Sequence, residues 1–182
     1  MKKILAFAGS NSSSSVNRKL VEHAKSKAAE YEITLIDLRD FDAPMFSEDL
    51  EKASGVPESI MKLKEVFTDH DAFMIASPEH NGMMPAFFKN LMDWLSRAGG
   101  KIFQEKPVLL MSTSPGPRGG QTNLANMKNL FPYWGAKAVF ADFYLGSFYQ
   151  AYDAETGNFT KPEDEARLKK VVADYESFLN NQ

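Results

Sequence analysis

The chain reads as an α/β domain: a parallel sheet covered by helices on both faces. Two observations predict it. Short apolar runs alternate with amphipathic stretches from end to end, and the turns after the first, third and fourth runs are rich in Gly, Ser, Pro and Asn. A strand buried on both faces reads as an unbroken apolar run, whereas the helix that crosses back over it keeps a helical period. At 182 residues one domain is the default.

The first strand, Ile4–Ala8, runs into Gly9-Ser10-Asn11-Ser12-Ser13-Ser14-Ser15-Val16-Asn17. A helical pattern follows at once over Val16–Glu30, with Ser15 placed to cap it. Ile33–Leu38 is the second strand, Arg39–Gly55 reads as irregular, and Pro57–Thr68 is a helix. The third strand, Ala72–Ala76, leads through a proline-bracketed turn to a helix over Met84–Ala98, stopped by Gly99-Gly100. Val108–Ser112 is the fourth strand, Gln121–Trp134 a helix ended by Gly135, and Ala138–Leu145 the fifth strand. Phe148–Pro162 reads as irregular, with a surface turn at Asp153–Asn158. The last helix, Glu163–Leu179, is the most periodic: Leu168, Val171, Val172, Tyr175, Phe178 and Leu179 recur at three- and four-residue steps.

In such sheets crossovers are right-handed, and ligands bind beyond the C-terminal strand ends where the strand order reverses. The turns Gly9–Ser15, Ser77–Pro85 and Ser112–Gly120 are therefore expected to line one site.

Composition narrows the chemistry. The formal net charge is -3 with no block of like charge, so neither nucleic acid nor an anionic membrane is an expected partner. The sequence has no cysteine, which excludes thiol catalysis, disulfides and thiolate metal sites. His23, His70 and His80 lack ligand spacing, so no metal site is expected. The apolar start is too short for a signal peptide and no segment approaches a membrane span, so the protein is expected in the cytoplasm.

Each turn admits two uses. The first lacks GxGxxG and the Walker pattern, leaving either a hydroxyl-rich cradle for one terminal phosphate at a helix N-terminus or a plain cap with solvated serines. The second, Pro78-Glu79-His80-Asn81-Gly82-Met83-Met84-Pro85, is stiffened by its prolines and allows positive φ at Asn-Gly. It suits backbone N–H groups held against a planar heterocycle, or else simply starts a helix. The third, Ser112-Thr113-Ser114-Pro115-Gly116-Pro117-Arg118-Gly119-Gly120, allows close backbone approach. Its Arg118 can meet a phosphate, such as that of a nicotinamide dinucleotide, or stay solvated. His80 is placed for stacking or hydrogen bonding rather than general-base work, and no acid–base pair is visible in these turns. In the helix from Met84 the apolar residues cover about half the circumference. Its surplus, Phe87, Leu91 and Trp94, is expected to meet a second copy rather than to be merely buried.

Together these turns resemble the NADPH-dependent FMN reductase family of flavodoxin-like proteins, which includes quinone, chromate and azo-dye reductases. The first family motif reads roughly G-S-x-R-x-x-S-x-N and corresponds to Gly9 through Asn17. The second reads roughly P-E-Y-N-x-x-x-P-x-x-x-K-N-x-x-D-W and corresponds to Pro78-Glu79-His80-Asn81, Pro85, Lys89-Asn90 and Asp93-Trp94. The third is a Ser/Gly-rich turn after the fourth strand.

The resemblance implies a flavodoxin-like three-layer sandwich, a five-stranded parallel sheet in order 2-1-3-4-5, and FMN at the strand ends. It implies that Ser10, Ser12, Ser15, Val16 and Asn17 hold the phosphate. Pro78, Glu79, His80, Asn81 and Gly82 line the isoalloxazine edge, and Ser112, Ser114 and Gly116 approach from the other side. NADPH or NADH serves as co-substrate, the flavin N5 carries the chemistry, and no catalytic side chain is required. A small acceptor takes the electrons, and a homodimer or homotetramer is expected. Two residues depart from the family pattern: Ser12 stands where the family has arginine and His80 where it has tyrosine. A flavodoxin-like electron carrier and a non-catalytic phosphate-ligand or sensor module are the alternatives.

Overall fold

The computed structural model describes residues 2–182. Five strands, β1 (Lys3–Ala8), β2 (Glu32–Leu35), β3 (Ala72–Ala76), β4 (Lys106–Thr113) and β5 (Ala136–Leu145), form one sheet in the order β2-β1-β3-β4-β5. Every neighbouring pair is parallel. Around it lie α1 (Val16–Lys25), α2 (Glu48–Ser54), α3 (Glu58–Thr68), α4 (Ala86–Arg97), α5 (Gln121–Leu130), the single turn α6 (Phe148–Ala151) and α7 (Pro162–Asn180). A short hairpin, β6 (Tyr152–Asp153) with β7 (Asn158–Phe159), precedes α7. No helix among the described residues is long and apolar enough to cross a membrane.

Side-chain alternation builds two cores, one on each face. Leu5 and Phe7 of β1, Phe73 and Ile75 of β3, and Val108 and Leu110 of β4 join Leu63 and Phe67 of α3 and Phe88 and Leu91 of α4. Their neighbours Ile4, Ala6, Met74, Leu109 and Met111 pack beneath Leu20 and Val21 of α1 and Leu168, Val172 and Leu179 of α7.

Several boundaries differ from the sequence expectation, for local reasons. Helix α1 stops at Lys25, where Ser26 turns its hydroxyl onto His23 O at 2.7 Å and its N–H onto Ala24 and Glu22 carbonyls. Strand β2 stops at Leu35, because Asp37 caps a 3-10 turn over Leu38–Phe41. Helix α5 stops at Leu130, close before Pro132, which cannot continue it. The stretch Arg39–Gly55 contains α2, capped by Ser47 and without a buried residue. The stretch Phe148–Pro162 holds α6 and the hairpin.

The apolar surplus of α4 is covered from within. Leu91 and Trp94 are fully buried, so the expectation that they face a second copy is corrected. Leu91 joins the core against the sheet, and the segment Asp42–Phe46 crosses over Trp94. Trp94 Nε1 donates to Pro44 O at 2.7 Å, and Asn90 Nδ2 donates to the carbonyls of Ala43 and Pro44. Phe46 N–H donates to Asn90 Oδ1, and the Phe46 ring stands edge-on to Trp94. Phe87 alone of the three stays half-exposed.

Candidate functional site

The strand order makes the C-terminal ends of β1, β3 and β4 neighbours, and hydrogen bonds join the turns that leave them. Gly9 N–H donates to Ala76 O and Ser77 N–H to Met111 O. Ser112 Oγ donates to Ser77 O at 2.8 Å. The three turns therefore meet along one rim.

The first turn ends as a helix N-terminus with spare donors. Ser15 caps α1 by accepting from Arg18 N–H. The N–H groups of Val16 and Asn17, in the first turn of α1, have no intrahelical acceptor. Ser10 Oγ accepts from Ser12 N–H, and Ser12 Oγ accepts from Ser14 N–H. The hydroxyl protons of Ser10 and Ser15 find no protein acceptor among the described residues. A β-carbon on Gly9 would lie 2.7 Å from the Phe88 ring, so only glycine lets the turn leave β1 this closely. Beside the cradle, the Asp37 carboxyl lies below the usual range because Arg39 hydrogen-bonds it, with Arg18 adding to the effect. That pairing offsets an acid that would otherwise repel an anion here.

Asn17 does something else. It is 1% exposed, its Nδ2 donates to Thr113 O at 2.9 Å, and its Oδ1 accepts from Thr113 N–H at 3.0 Å. Its amide is committed to tying α1 to the end of β4, so its side chain is not a free phosphate donor; only its backbone N–H is. Ser112 is similar: it is fully buried, and its one hydroxyl proton goes to Ser77 O.

The second turn is a two-residue hairpin. His80 N–H donates to Met83 O and Met83 N–H to His80 O, while Asn81 and Gly82 take φ of 53° and 82°. The carbonyls of Ser77, Pro78, His80, Gly82 and Met83 all accept hydrogen bonds from the protein. The N–H groups of Glu79, Asn81 and Gly82 find no acceptor among the described residues. Most of the turn's carbonyls are thus engaged, while three of its N–H groups stay available. Glu79 points inward, its Oε2 accepting from Asn123 N–H at 2.9 Å. The His80 imidazole is exposed and has no hydrogen-bond partner among the described residues.

The third turn is braced against the end of β5. Ser147 N–H donates to Gly116 O, Phe148 N–H to Ser114 O, and Ser114 Oγ to Gly116 O. Gly120, at φ 80°, starts α5 so close to β4 that a β-carbon would stand 2.0 Å from Ser112 Oγ. Arg118 is exposed, and its one hydrogen bond among the described residues goes from Nη2 to Thr122 Oγ1 at 3.0 Å. Arg18, Arg39, Arg97 and Arg167 each pair with a carboxylate; among the described residues Arg118 does not.

Asn123 and Asn126 escaped sequence reasoning. Both lie on α5 and both hold the second turn from below. A polar pair spaced three apart on an otherwise amphipathic helix was the available signal.

The family and the fold have counterparts among known proteins. A family model described as NADPH-dependent FMN reductase matches residues 2–150. A Mycoplasma pneumoniae protein, "Uncharacterized protein MG342 homolog", is 34% identical over 138 residues, 73% of this chain and 81% of that one. The quinone reductase of Escherichia coli K12 is 29% identical over 117 residues, 64% of this chain and 62% of that one. The solved structure of FerB, a flavoenzyme NAD(P)H:(acceptor) oxidoreductase from Paracoccus denitrificans, superposes with a TM-score of 0.82 at 27% identity, covering 100% of this chain and 98% of that one. With the sheet in flavodoxin-like order and the family model spanning most of its length, the chain belongs to the NADPH-dependent FMN reductase family, whose members use FMN with a reduced nicotinamide as co-substrate.

Proposed function

We propose that this protein oxidises a reduced nicotinamide and delivers the electrons, by way of bound FMN, to a small acceptor such as a quinone, an azo compound or free flavin. The observation that carries the proposal is the convergence, on one rim, of a phosphate-type cradle with a turn that leaves the N–H groups of Glu79, Asn81 and Gly82 without a protein acceptor among the described residues.

The donor set suits the cofactor. The hydroxyls of Ser10, Ser12 and Ser15 and the N–H groups of Val16 and Asn17 offer a dianionic phosphate neutral donors at a positive helix end. Glu79, Asn81 and Gly82 offer N–H groups to the acceptor-rich edge of the isoalloxazine, with Pro78 and His80 setting the shape of that wall. Ser114 and Gly116 form the opposite wall. When bound, FMN supplies the redox chemistry, taking hydride at N5. The chain's part is to bind, orient and stabilise: preorganised N–H groups favour negative charge that gathers on the adjacent ring edge. Arg118, free of any carboxylate, is the residue we assign to a phosphate of the nicotinamide donor. No side chain in these turns is needed as an acid or base.

The same proposal has the protein working in the cytoplasm, where reduced nicotinamides are made, as a homodimer or homotetramer. Met83, 54% exposed at the end of the second turn, supports an apolar contact near the site.

The test is a titration. FMN fluorescence should quench saturably on the purified protein, and NADPH should then be oxidised steadily with a quinone and no partner reductase. Ser10→Ala with Ser15→Ala should weaken FMN more than riboflavin. Absence of saturable quenching would overturn the flavin assignment; quenching without NADPH turnover would leave a carrier or sensor instead.

A further inference from the structure

We propose that one face of α5 is the positioning element of the flavin site: Asn126, with Asn123 and Glu79, fixes where the second turn holds its N–H groups. The inference rests on the flavin assignment above and goes past it, to residues that touch neither cofactor nor substrate.

The second turn has no rigid support from the sheet beyond Ser77. Past Ser77 it is held by its own His80–Met83 pair and by hydrogen bonds with α5. Asn123 Nδ2 donates to Pro78 O at 2.8 Å, and Asn123 N–H donates to Glu79 Oε2 at 2.9 Å. One helical turn further along, Asn126 Nδ2 donates to Gly82 O at 2.9 Å and lies 3.5 Å from Met83 Sδ. The Cβ position of Gly82 packs 3.7 Å from Thr122 Cγ2. Residues 123 and 126 share one face of the helix, so a single rigid element grips the turn at both of its ends.

The grip has a direction. Rotating a peptide unit swings its carbonyl and the following N–H together, because the unit is planar. Holding Pro78 O fixes the Glu79 N–H, and holding Gly82 O fixes the peptide that follows the exposed Asn81-Gly82 tip. The Asn81 and Gly82 N–H groups are then set by the hairpin between these two anchors. Asn123 is fully buried and its Oδ1 has no partner, so its substitution would disturb the fold as well as the turn. Asn126 is exposed and mid-helix, which separates the two effects.

Asn126→Ala removes the anchor and improves helix propensity. A purely structural role predicts a lower Tm and a flavin affinity that follows it. Positioning predicts the opposite pattern: a Tm equal to or above wild type, together with weaker FMN binding. Amide hydrogen exchange in the cofactor-free protein should quicken by about fivefold, the weight of one neutral hydrogen bond, at His80 and Met83, the amides of the turn that are hydrogen-bonded, and the FMN dissociation constant should rise by a similar factor. Asn126→Gln, which keeps an amide donor, should recover part of both losses, and Asn126→Asp, which presents an acceptor to Gly82 O, should recover neither. Unchanged exchange in the Asn126→Ala turn overturns the proposal. So does faster exchange with unaltered FMN affinity. Should wild type bind no FMN, the flavin assignment fails on its own, while exchange in the cofactor-free protein still decides whether α5 holds the turn.

Discussion

Asn17→Ala separates a joint from a ligand. The sequence motif points this amide at a phosphate; the structure spends it on Thr113. Removing it leaves the Thr113 N–H and carbonyl unpaired in a region where Thr113 is fully buried and Asn17 is 1% exposed. An unsatisfied buried backbone group costs about 1–3 kcal/mol, so the variant should lose roughly 2–5 kcal/mol. For a domain of this size that lowers Tm by about 5–15 °C. The joint also links the phosphate turn to the third turn, so FMN and riboflavin affinities should fall by the same factor. Calorimetry with two fluorescence titrations reads all three quantities. Asn17→Asp keeps an acceptor for the Thr113 N–H and sets a carboxylate against its carbonyl, so it should also be destabilised. A wild-type Tm with loss of FMN but not riboflavin would show the amide on the phosphate and refute the reasoning.

Arg118→Ala should raise KM for NADPH about fivefold, the weight of an exposed charge contact near 1 kcal/mol, and leave NADH unaffected; equal effects on both donors would remove Arg118 from phosphate recognition. Gly120→Ala places a methyl 2.0 Å from Ser112 Oγ at a positive φ and should cost about 2–4 kcal/mol by urea unfolding, so an unchanged midpoint would contradict the packing described. Glu165 accepts from His23 Nε2 and Lys27 Nζ, each at 2.7 Å. Burial pushes its carboxyl up, but the hydrogen bonds from Lys27 and His23 outweigh that and hold it below its ordinary value of 4.5. Its contribution to stability is therefore full above that value and lost as pH falls through the lower folded one. Glu165→Gln should thus be about 1–3 kcal/mol less stable than wild type at pH 7, with the gap closing in acid. A gap that persists through acid unfolding would mean packing, not charge, is at work.

The central strands β1, β3 and β4 were legible because each is buried on both faces and so reads as an apolar run, and the half-buried edge strands β2 and β5 still carry enough apolar residues to be found. The Asn81-Gly82 hairpin was legible too, since few dipeptides tolerate successive positive φ. The α4 surface was misread for a definite reason. Apolar residues beyond the sheet-facing stripe need a cover, but periodicity does not say whether a partner or the Asp42–Phe46 crossing supplies it. Asn17 and Ser112 were misread similarly. Their residue types suit a ligand, and their true partners lie 96 and 35 positions away in the chain. Short-range pattern locates a turn; it does not reveal which of its polar atoms folding has already claimed. Asn123 and Asn126 were missed because a helix was expected to carry packing, not to hold a neighbouring loop.

The cross-bracing of the rim, Asn17 to Thr113, Ser112 to Ser77 and Asn126 to Gly82, has a thermodynamic consequence. The chain surrenders the freedom of these turns when it folds, so an incoming nucleotide finds walls already in place and forfeits little entropy in arranging them. Empty and loaded forms should then superpose closely, capture should proceed at the pace of ordinary encounter, and differences among tight and loose relatives should reside in how slowly the occupant escapes.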